Sequence, residues 1–212
     1  MPLNRARLWD RLSWTSDIVQ NRDYAQGAMN KVIVENLDLR PGHAVVDVGC
    51  GAGPNFPALR EAIGPSGSVL GIDLSPRMLQ RAQQLVDTKG WDNVETVRAD
   101  LTSHDLGEQL FDRAIGNFSI SATSDVPATL TSVHRALRPG GKLFVADLRL
   151  VPTGWSAPLL HLFRGVYRTF GGWTGVEVLD ALGSTFDTVE VVGARHHHPG
   201  GWPPVFTAVA TR

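Results

Sequence analysis

Short runs rich in β-branched residues alternate along the chain with longer, helix-like segments. Seven of these runs are predicted as strands: Ala44–Val48, Ser68–Asp73, Val94–Ala99, Phe111–Ile115, Lys142–Ala146, Thr188–Ala194 and Val205–Ala210. Helices are predicted near residues 55–63, 76–89, 125–137 and 175–183. Strands that alternate with helices in this way indicate βαβ units around a parallel sheet, so we expect an α/β fold.

Two regions fall outside this alternation. The opening residues are amphipathic and helix-like, and because they precede the first strand we expect residues 1–36 to form a helical lid across one end of the sheet. Residues 150–175 contain prolines, glycines and large aromatic side chains, and they are predicted as an insertion. A chain of 212 residues is long enough for one sizeable core and short for two, which predicts a single domain over residues 1–212.

Composition narrows the class of protein. The formal net charge is −1, with 42% hydrophobic and 19% charged residues, which is typical of a globular domain and gives no support to nucleic-acid binding. The one cysteine, Cys50, excludes an intrachain disulfide and fits a cytoplasmic location. No stretch approaches the roughly 20 apolar residues that span a bilayer, so we expect no integral membrane segment and leave peripheral contact open.

Three glycines follow the first predicted strand at alternate positions, Gly49, Gly51 and Gly53. Glycine suits a sharp turn or a close approach of ligand to backbone, so a Cβ at Gly49 or Gly51 is expected to occupy the space of a bound molecule. The dinucleotide pattern G-x-G-x-x-G would require glycine where Pro54 stands. Asp47, two residues before the first glycine, is expected to attract a cationic group and to repel a pyrophosphate. The alternative is a turn whose glycines serve only packing.

Acidic residues also end the second and third predicted strands. Asp73, 20 residues after Gly53, can accept hydrogen bonds from the vicinal hydroxyls of a ribose, and the alternative is a cap for the helix that starts near Ser75. Asp100 can accept from an adenine amino group, with Leu74 and Leu101 on the two sides of the ring. Asparagine and phenylalanine follow the fourth strand at positions 117 and 118. All of these positions fall at the carboxyl ends of strands, where open α/β sheets bind ligands.

In order and spacing, these segments resemble the class I S-adenosylmethionine-dependent methyltransferases. The resemblance runs from about Leu37 to Leu148 and rests on five segments: Val45–Gly53, Gly71–Ser75, Ala99–Asp100, Phe111–Phe118 and Leu137–Leu143. Within the class the chain is similar to the ubiquinone/menaquinone-type and related small-molecule or lipid methyltransferases. The resemblance implies a Rossmann-like, doubly wound sheet of seven strands, mostly parallel with the last strand antiparallel.

The resemblance also implies S-adenosyl-L-methionine as cofactor and a role for each site residue. The implied contacts are Asp47, Gly49, Gly51 and Gly53 with the methionine part, Asp73 with the ribose, Leu74, Asp100 and Leu101 with the adenine, and Asn117 and Phe118 near the methyl group. Many relatives have an acidic side chain or a proline–aromatic tetrad after the fourth strand, and the absence of proline here argues against methylation of nucleobase amino groups.

Two residues are candidates for a catalytic role, His161 and Asp147. His161 lies in the insertion, which is expected to cover the methyl acceptor, and is the histidine best placed to act as a general base. Asp147 follows the fifth predicted strand and would either orient a polar acceptor or cap the next segment. The run His196–His198 invites a metal site, but neighbouring side chains in an extended chain point in opposite directions, so no metal is predicted.

Four functions follow in order of support. The first is methyl transfer to O, N or C of a small apolar or aromatic metabolite by in-line displacement, and the second is the same transfer to a phospholipid or other lipid. An NAD-dependent dehydrogenase is third, and Asp47 and Pro54 count against it. A cofactor-binding subunit without catalytic activity is fourth.

Overall fold

A computed structural model describes residues 23–151, 157–168, 174–192 and 205–212. Within these ranges the chain forms helices and strands in alternation. The helices are α1 (Asp23–Leu37), α2 (Phe56–Ile63), α3 (Pro76–Lys89), α4 (Val126–Ala136), α5 (Ala157–Val166) and α6 (Val178–Thr185). The strands are β1 (Ala44–Val48), β2 (Ser68–Asp73), β3 (Val94–Arg98), β4 (Phe111–Asn117), β5 (Leu137–Leu148), β6 (Thr188–Val191) and β7 (Val205–Thr211).

The seven strands form one sheet in the order β3-β2-β1-β4-β5-β7-β6. Strands β1 to β5 pair in parallel, whereas β7 is antiparallel to both β5 and β6. The predicted seven-stranded sheet with an antiparallel last strand is therefore confirmed. The order reverses at β1, since β2 and β3 lie on one side of it and β4 and β5 on the other.

Helices cover both faces of the sheet, as a doubly wound fold requires. On one face α4 and α6 bury apolar side chains such as Leu130 and Leu182 against the strands. On the other face α1, α2 and α3 do so with residues such as Ile33, Leu59 and Ala82. The described part of the predicted N-terminal lid, α1, thus belongs to a layer of the core. Residues 1–22 lie outside the described residues, and the lid function stays a prediction.

The ends of α3 show how local sequence sets an element. The Ser75 side chain accepts a hydrogen bond from the backbone N–H of Met78 at 3.2 Å, and Pro76 occupies the first turn. Gly90 ends the helix in the left-handed conformation at φ +64°. The start at Ser75–Pro76 and the stop at Gly90 agree with the sequence pattern.

The fifth strand is longer than its apolar run predicts. The prediction began it at Lys142, after the turn Pro139–Gly141, whereas β5 begins at Leu137, and the register against β4 shifts across this segment. An irregularity of this kind lets a strand accommodate an extra residue without ending. At its other end β5 reaches Leu148, so that Asp147 lies within the strand and not after it.

Candidate functional site

The candidate site lies at the carboxyl edge of the sheet, where the strand order reverses. The last residues of β1 and β4 are neighbours there, because Asp47 pairs in register with Ile115. Asp47 also pairs with Gly71 of β2, two residues before Asp73. Open α/β sheets bind ligands in the crevice formed at such a reversal.

A buried polar network joins three of these chain segments. Asp47 is fully buried, and its Oδ2 accepts a hydrogen bond from Nδ2 of Asn55 at 3.0 Å. Oδ1 of Asn55 accepts in turn from Nδ2 of Asn117 at 3.5 Å. Oδ1 of Asp47 and Oδ1 of Asn117 are both buried and have no hydrogen-bond partner among the described residues. Two buried acceptor atoms therefore remain to be satisfied, and an ammonium group supplies the donors that such acceptors need.

The charge of Asp47 is sensitive to its surroundings. Burial raises the pKa of this carboxyl to about 7, and the negative charge of Asp73 adds to the rise while the hydrogen bond from Asn55 opposes it. Burial acts in this direction because it disfavours the ionised form. A cationic ligand group beside Asp47 would restore the ionised form.

The glycines of the turn differ in what surrounds them. A Cβ built on Gly51 meets nothing within 4 Å, although the residue has φ +56°. A Cβ on Gly49 would lie 2.3 Å from Cβ of Ser119, and a Cβ on Gly53 would lie 2.6 Å from the ring of Phe56. The expectation that a Cβ at Gly49 would meet a bound molecule is thus corrected, since it would meet the protein itself. At Gly51 the space stays open for a ligand.

Asp73 holds the turn in place. Its Oδ2 accepts from the backbone N–H of Gly51 at 2.9 Å and its Oδ1 from that of Ser75 at 2.8 Å. The cap of α3 is Ser75, so the alternative interpretation of Asp73 as that cap is wrong. A carboxylate oxygen has two lone pairs, so each oxygen can also accept from a ribose hydroxyl.

The residues expected at the adenine lie on the neighbouring β3 side. Asp100 is exposed, and its Oδ1 accepts from the backbone N–H of Thr102 at 3.0 Å. Leu101 is buried with 8% exposure, whereas Leu74 is half-buried. These positions bring one exposed carboxylate and apolar surface to the same edge, and their adenine contacts remain a prediction.

Phe118 is the next residue in the sequence after Asn117 of the buried polar network. It is 46% exposed, has φ +53°, and donates its backbone N–H to the carbonyl of Ala146 at 2.7 Å. Positive φ is uncommon for an aromatic residue and marks a backbone held by its neighbours for a reason beyond local preference. The exposed ring beside Asn117 is consistent with the expected place at the reacting end of a ligand.

The two candidate catalytic residues lie in very different environments. Asp147 is fully buried, and its carboxylate accepts from the backbone N–H of Ser121 at 2.9 Å and from the Ser121 hydroxyl at 2.5 Å. Its Oδ1 also accepts from the backbone N–H of Leu148 at 2.7 Å. A role of Asp147 toward a methyl acceptor stays a prediction. His161 is exposed on α5. The catalytic role of His161 stays a prediction.

Several site residues carry no signal in the sequence. Asn55, Ser119 and Ser121 are common polar residues in loops, and only the fold shows that they bridge strands. Tyr167 lies at the end of α5, and its hydroxyl is 3.3 Å from Oγ of Ser121. Among the described residues, no three His, Cys, Asp or Glu side chains cluster as a metal site would need. His196–His198 lie outside the described residues.

The residues present fit an adenosyl cofactor that carries an amino acid. The Oδ1 atoms of Asp47 and Asn117, which lack a partner in the described part of the chain, suit its ammonium group. The open space at Gly51 allows the cofactor to approach the backbone. Asp73, one strand away, suits a diol.

Comparison with known proteins agrees with this chemistry. Residues 45–141 match a family model described as a methyltransferase domain. The demethylmenaquinone methyltransferase of Anoxybacillus flavithermus is 29% identical over 143 residues, which are 68% of this chain and 57% of that protein. The chain spans between 35% and 64% of the length of the first curated relatives that it matches.

Solved structures show the same fold. A SAM-dependent methyltransferase from Aquifex aeolicus has a TM-score of 0.60 at 21% identity, covering 86% of this chain and 88% of that chain. Phosphoethanolamine N-methyltransferase 2 of Haemonchus contortus, in complex with S-adenosyl-L-methionine, has a TM-score of 0.65 at 20% identity, covering 79% of this chain and 39% of that chain.

Proposed function

We propose that this chain is a class I S-adenosylmethionine-dependent methyltransferase that transfers the methyl group to O, N or C of a small apolar or aromatic metabolite. The match of residues 45–141 to a methyltransferase domain supports this proposal. Two observations four residues apart in sequence carry the proposal: Oδ1 of Asp47 is buried without a partner among the described residues, and the space at Gly51 is open. Buried acceptors are nearly always satisfied in folded proteins, so this atom indicates a cationic ligand group.

When bound, the cofactor supplies a methyl group on a positively charged sulfonium. Asp47 and Asn117 hold its ammonium, Asp73 holds the ribose, and Leu74, Asp100 and Leu101 enclose the adenine. Phe118 covers the reacting end, where an aromatic face favours a nearby cation by about 0.5–2 kcal/mol. The protein contributes mainly orientation and exclusion of water, which in favourable systems lower a barrier by about 7–11 kcal/mol.

The surface to which we assign the acceptor, on and after α5, is largely apolar. Helix α5 buries Leu160 against Leu150 of the segment that leaves β5, and Phe163 and Tyr167 stack at 6.1 Å between ring centroids. This surface supports an acceptor with an apolar or aromatic body. The relatives described above include enzymes whose names specify demethylmenaquinone and phosphoethanolamine, which favours a small or lipid-like acceptor over a macromolecule.

The direct test uses cofactor with a labelled methyl group. We expect label to pass from S-adenosylmethionine into small organic products of a metabolite extract, and to do so poorly with Asp47→Ala. A second measurement is protection from thermal unfolding. Protection by S-adenosylhomocysteine is expected, whereas protection by NAD alone would favour a dehydrogenase, and cofactor binding without any transfer of label would favour a non-catalytic subunit.

A lipid acceptor is the second candidate, and one observation favours it. Leu159, Leu162 and Val166 of α5 are 46%, 66% and 48% exposed and lie on one side of the helix. Among the described residues, no helix is both long and apolar enough to cross a membrane. If the acceptor is a lipid, Leu162→Glu should abolish sedimentation with phosphatidylglycerol vesicles, whereas Leu110→Glu, at a leucine that is 51% exposed at the start of β4, should not.

We also propose a cytoplasmic location. The single cysteine, Cys50, is buried as a free thiol, in keeping with a reducing compartment.

A further inference from the structure

A chain of hydrogen bonds runs from the core of the sheet to helix α5. The Ser121 hydroxyl lies 2.5 Å from Oδ1 of Asp147, and the Tyr167 hydroxyl lies 3.3 Å from the same Ser121 oxygen. Asp147 is fully buried, Ser121 is 2% exposed and Tyr167 is half-buried. The three groups therefore form a path from a buried carboxylate to a phenol at the border of the core.

The direction of these bonds follows from counting protons. Ser121 has one hydroxyl proton, and its short bond to Oδ1 of Asp147 commits that proton to the carboxyl oxygen. Ser121 Oγ then accepts from Tyr167, and the phenol is the donor of that pair. A phenol oxygen can accept a hydrogen bond while it donates one, so Tyr167 is polarised to accept from a hydroxyl or amine.

The path ends close to the reacting end of the site. Asn117 pairs in register with Ala146, so Asp147 lies one residue beyond that level at the carboxyl edge of β5. Ser121 belongs to the short 3₁₀ helix Ile120–Ala122 that follows Phe118. Tyr167 directly follows α5, which Leu160 anchors against Leu150, and its hydroxyl reaches this edge at Ser121.

We propose that Tyr167 is a catalytic residue that accepts the proton of the methyl acceptor, and that Ser121 and Asp147 are positioning residues that receive this proton in turn. The inference rests on the proposed methyl transfer. It assigns an acceptor whose nucleophilic atom carries a hydrogen, that is, a hydroxyl or amine group, and it excludes transfer to an acceptor without such a proton.

The protons balance along the path. As the nucleophile loses its proton to the Tyr167 oxygen, the phenol proton passes to Ser121 Oγ and the Ser121 proton passes to Asp147 Oδ1. Asp147 becomes a neutral carboxylic acid, and Ser121 and Tyr167 keep one proton each. Burial raises the pKa of the Asp147 carboxyl, which makes it a better proton acceptor than an exposed carboxylate. The neutralised carboxylate offsets the positive charge that methyl transfer removes from sulfur, so the buried site undergoes no net change in charge.

The path can be tested without any turnover, since the chain contains only two tyrosines, Tyr24 and Tyr167. Labelling tyrosine with ¹³C at Cζ gives two NMR signals, and Tyr24→Phe assigns them. Ser121→Ala should shift the signal of Tyr167 and leave that of Tyr24 in place. Ser132→Ala, a matched change on α4, should move neither signal.

Activity tests the catalytic part. With labelled cofactor and a metabolite extract, Tyr167→Phe should lower the rate of transfer by about 100-fold, as expected for loss of a general base, and Ser121→Ala by a smaller factor. Affinity for S-adenosylhomocysteine should stay within about twofold in both variants. The wild-type rate should fall in D₂O because protons move in the reaction, and this isotope effect should disappear in Tyr167→Phe. If Tyr167 had a purely structural role, the isotope effect would persist in Tyr167→Phe.

Each contrary result has a distinct meaning. A Tyr167 signal unmoved by Ser121→Ala would overturn the path. Full transfer by Tyr167→Phe, or label found only on carbon atoms that carried no exchangeable hydrogen, would overturn the inference and leave the proposed methyl transfer standing. Absence of transfer by the wild type, even with the NMR result as expected, would refute the proposed function and the inference with it.

Discussion

The Asp47 carboxylate is the single side chain on which most of the electrostatics of the site depends. Its position before the glycines predicted a cationic ligand group from sequence alone. The sequence did not reveal that Asn55 satisfies one carboxylate oxygen, or that Oδ1 has no partner among the described residues. A burial of this degree is a property of the packed sheet, because it needs strands on both sides and a helix layer above.

The pKa of Asp47 leads to a prediction about pH. With a pKa of about 7 in the free protein, the carboxyl is mostly neutral at pH 6 and mostly ionised at pH 8. The ionised form attracts the ligand ammonium, so affinity for S-adenosylhomocysteine should rise by about tenfold from pH 6 to pH 8. Isothermal titration calorimetry in buffers of different ionisation enthalpy would measure this change and the proton released. Asp47→Asn should bind weakly at both pH values, and an unchanged pH dependence in that variant would contradict the assignment.

The same pKa determines how Asp47 affects folding. The folded-state pKa lies above the unfolded value of about 3.9, so the stabilising effect of the protonated form is complete below that value and is lost as pH rises through about 7. In the absence of ligand, the wild type should therefore lose stability over this range relative to Asp47→Asn. Urea unfolding at pH 5 and pH 8 would show it, and parallel stability profiles of the two proteins would contradict it.

Gly49 and Gly51 provide a pair of variants that separates packing from binding. Both have positive φ, so alanine strains the backbone at each position by about 1–2 kcal/mol. Gly49→Ala also clashes with Ser119 and should be the less stable variant. Gly51→Ala meets no protein atom within 4 Å and should keep more stability while losing affinity for S-adenosylhomocysteine. Thermal unfolding and calorimetry measure the two effects, and normal affinity of Gly51→Ala would show that the turn is merely structural.

At the scale of elements, the sequence predicted strands and helices where one local signal dominates. The α3 bounds followed from a cap, a proline and a glycine, and β1 and β2 followed from short apolar runs between turns. The start of β5 was missed because Pro139, Gly140 and Gly141 favour a turn locally. In the fold, Leu137 already pairs with Phe111 of β4, and Gly140 and Gly141 exchange backbone hydrogen bonds with Arg212. Asp147 was placed after the strand because the apolar run ends at Ala146, whereas pairing with Phe206 of β7 extends β5 beyond that residue. The ends of this strand are decided by contacts between residues that are far apart in the sequence. A local sequence pattern does not reveal those contacts.

Asp73 and Ser75 allow a test at the junction of β2 and α3. Ser75→Ala removes the cap of α3 and should cost about 1 kcal/mol of stability with little effect on cofactor affinity. Asp73→Ala frees the backbone N–H groups of Gly51 and Ser75 and removes the expected ribose contact, so it should reduce both stability and affinity. Equal loss of affinity in the two variants would mean that Asp73 acts only through the turn.

At the scale of the whole molecule, the fold class and the edge that carries the site were predictable, because alternation and the carboxyl-end rule apply to the chain as a unit. The hydrogen-bond partners within that edge were not. Asn55 follows β1, and Ser119 and Ser121 both lie in the connection after β4. The order of strands in the sheet brings them to Asp47, Val48 and Asp147. The resemblance that suggested the family covers β1 to β5, whereas Tyr167 lies beyond it, directly after α5.

The alkylation rate of the single cysteine, Cys50, should measure how often the site opens. Cys50 is 2% exposed within the glycine turn, and burial raises the pKa of its thiol. Alkylation should therefore be slow in the native protein and should follow the opening of the turn or global unfolding. S-adenosylhomocysteine should slow alkylation further in proportion to its occupancy. A rate of iodoacetamide labelling that does not respond to this ligand would place its binding elsewhere.

The most direct test of the account is a crystal structure of the chain with S-adenosylhomocysteine. We expect the ammonium group of the ligand at about 3 Å from Oδ1 of Asp47. We expect its ribose hydroxyls at the carboxylate of Asp73 and its amino-acid part over Gly51. A fully occupied ligand bound away from Asp47 and Asp73 would contradict this expectation.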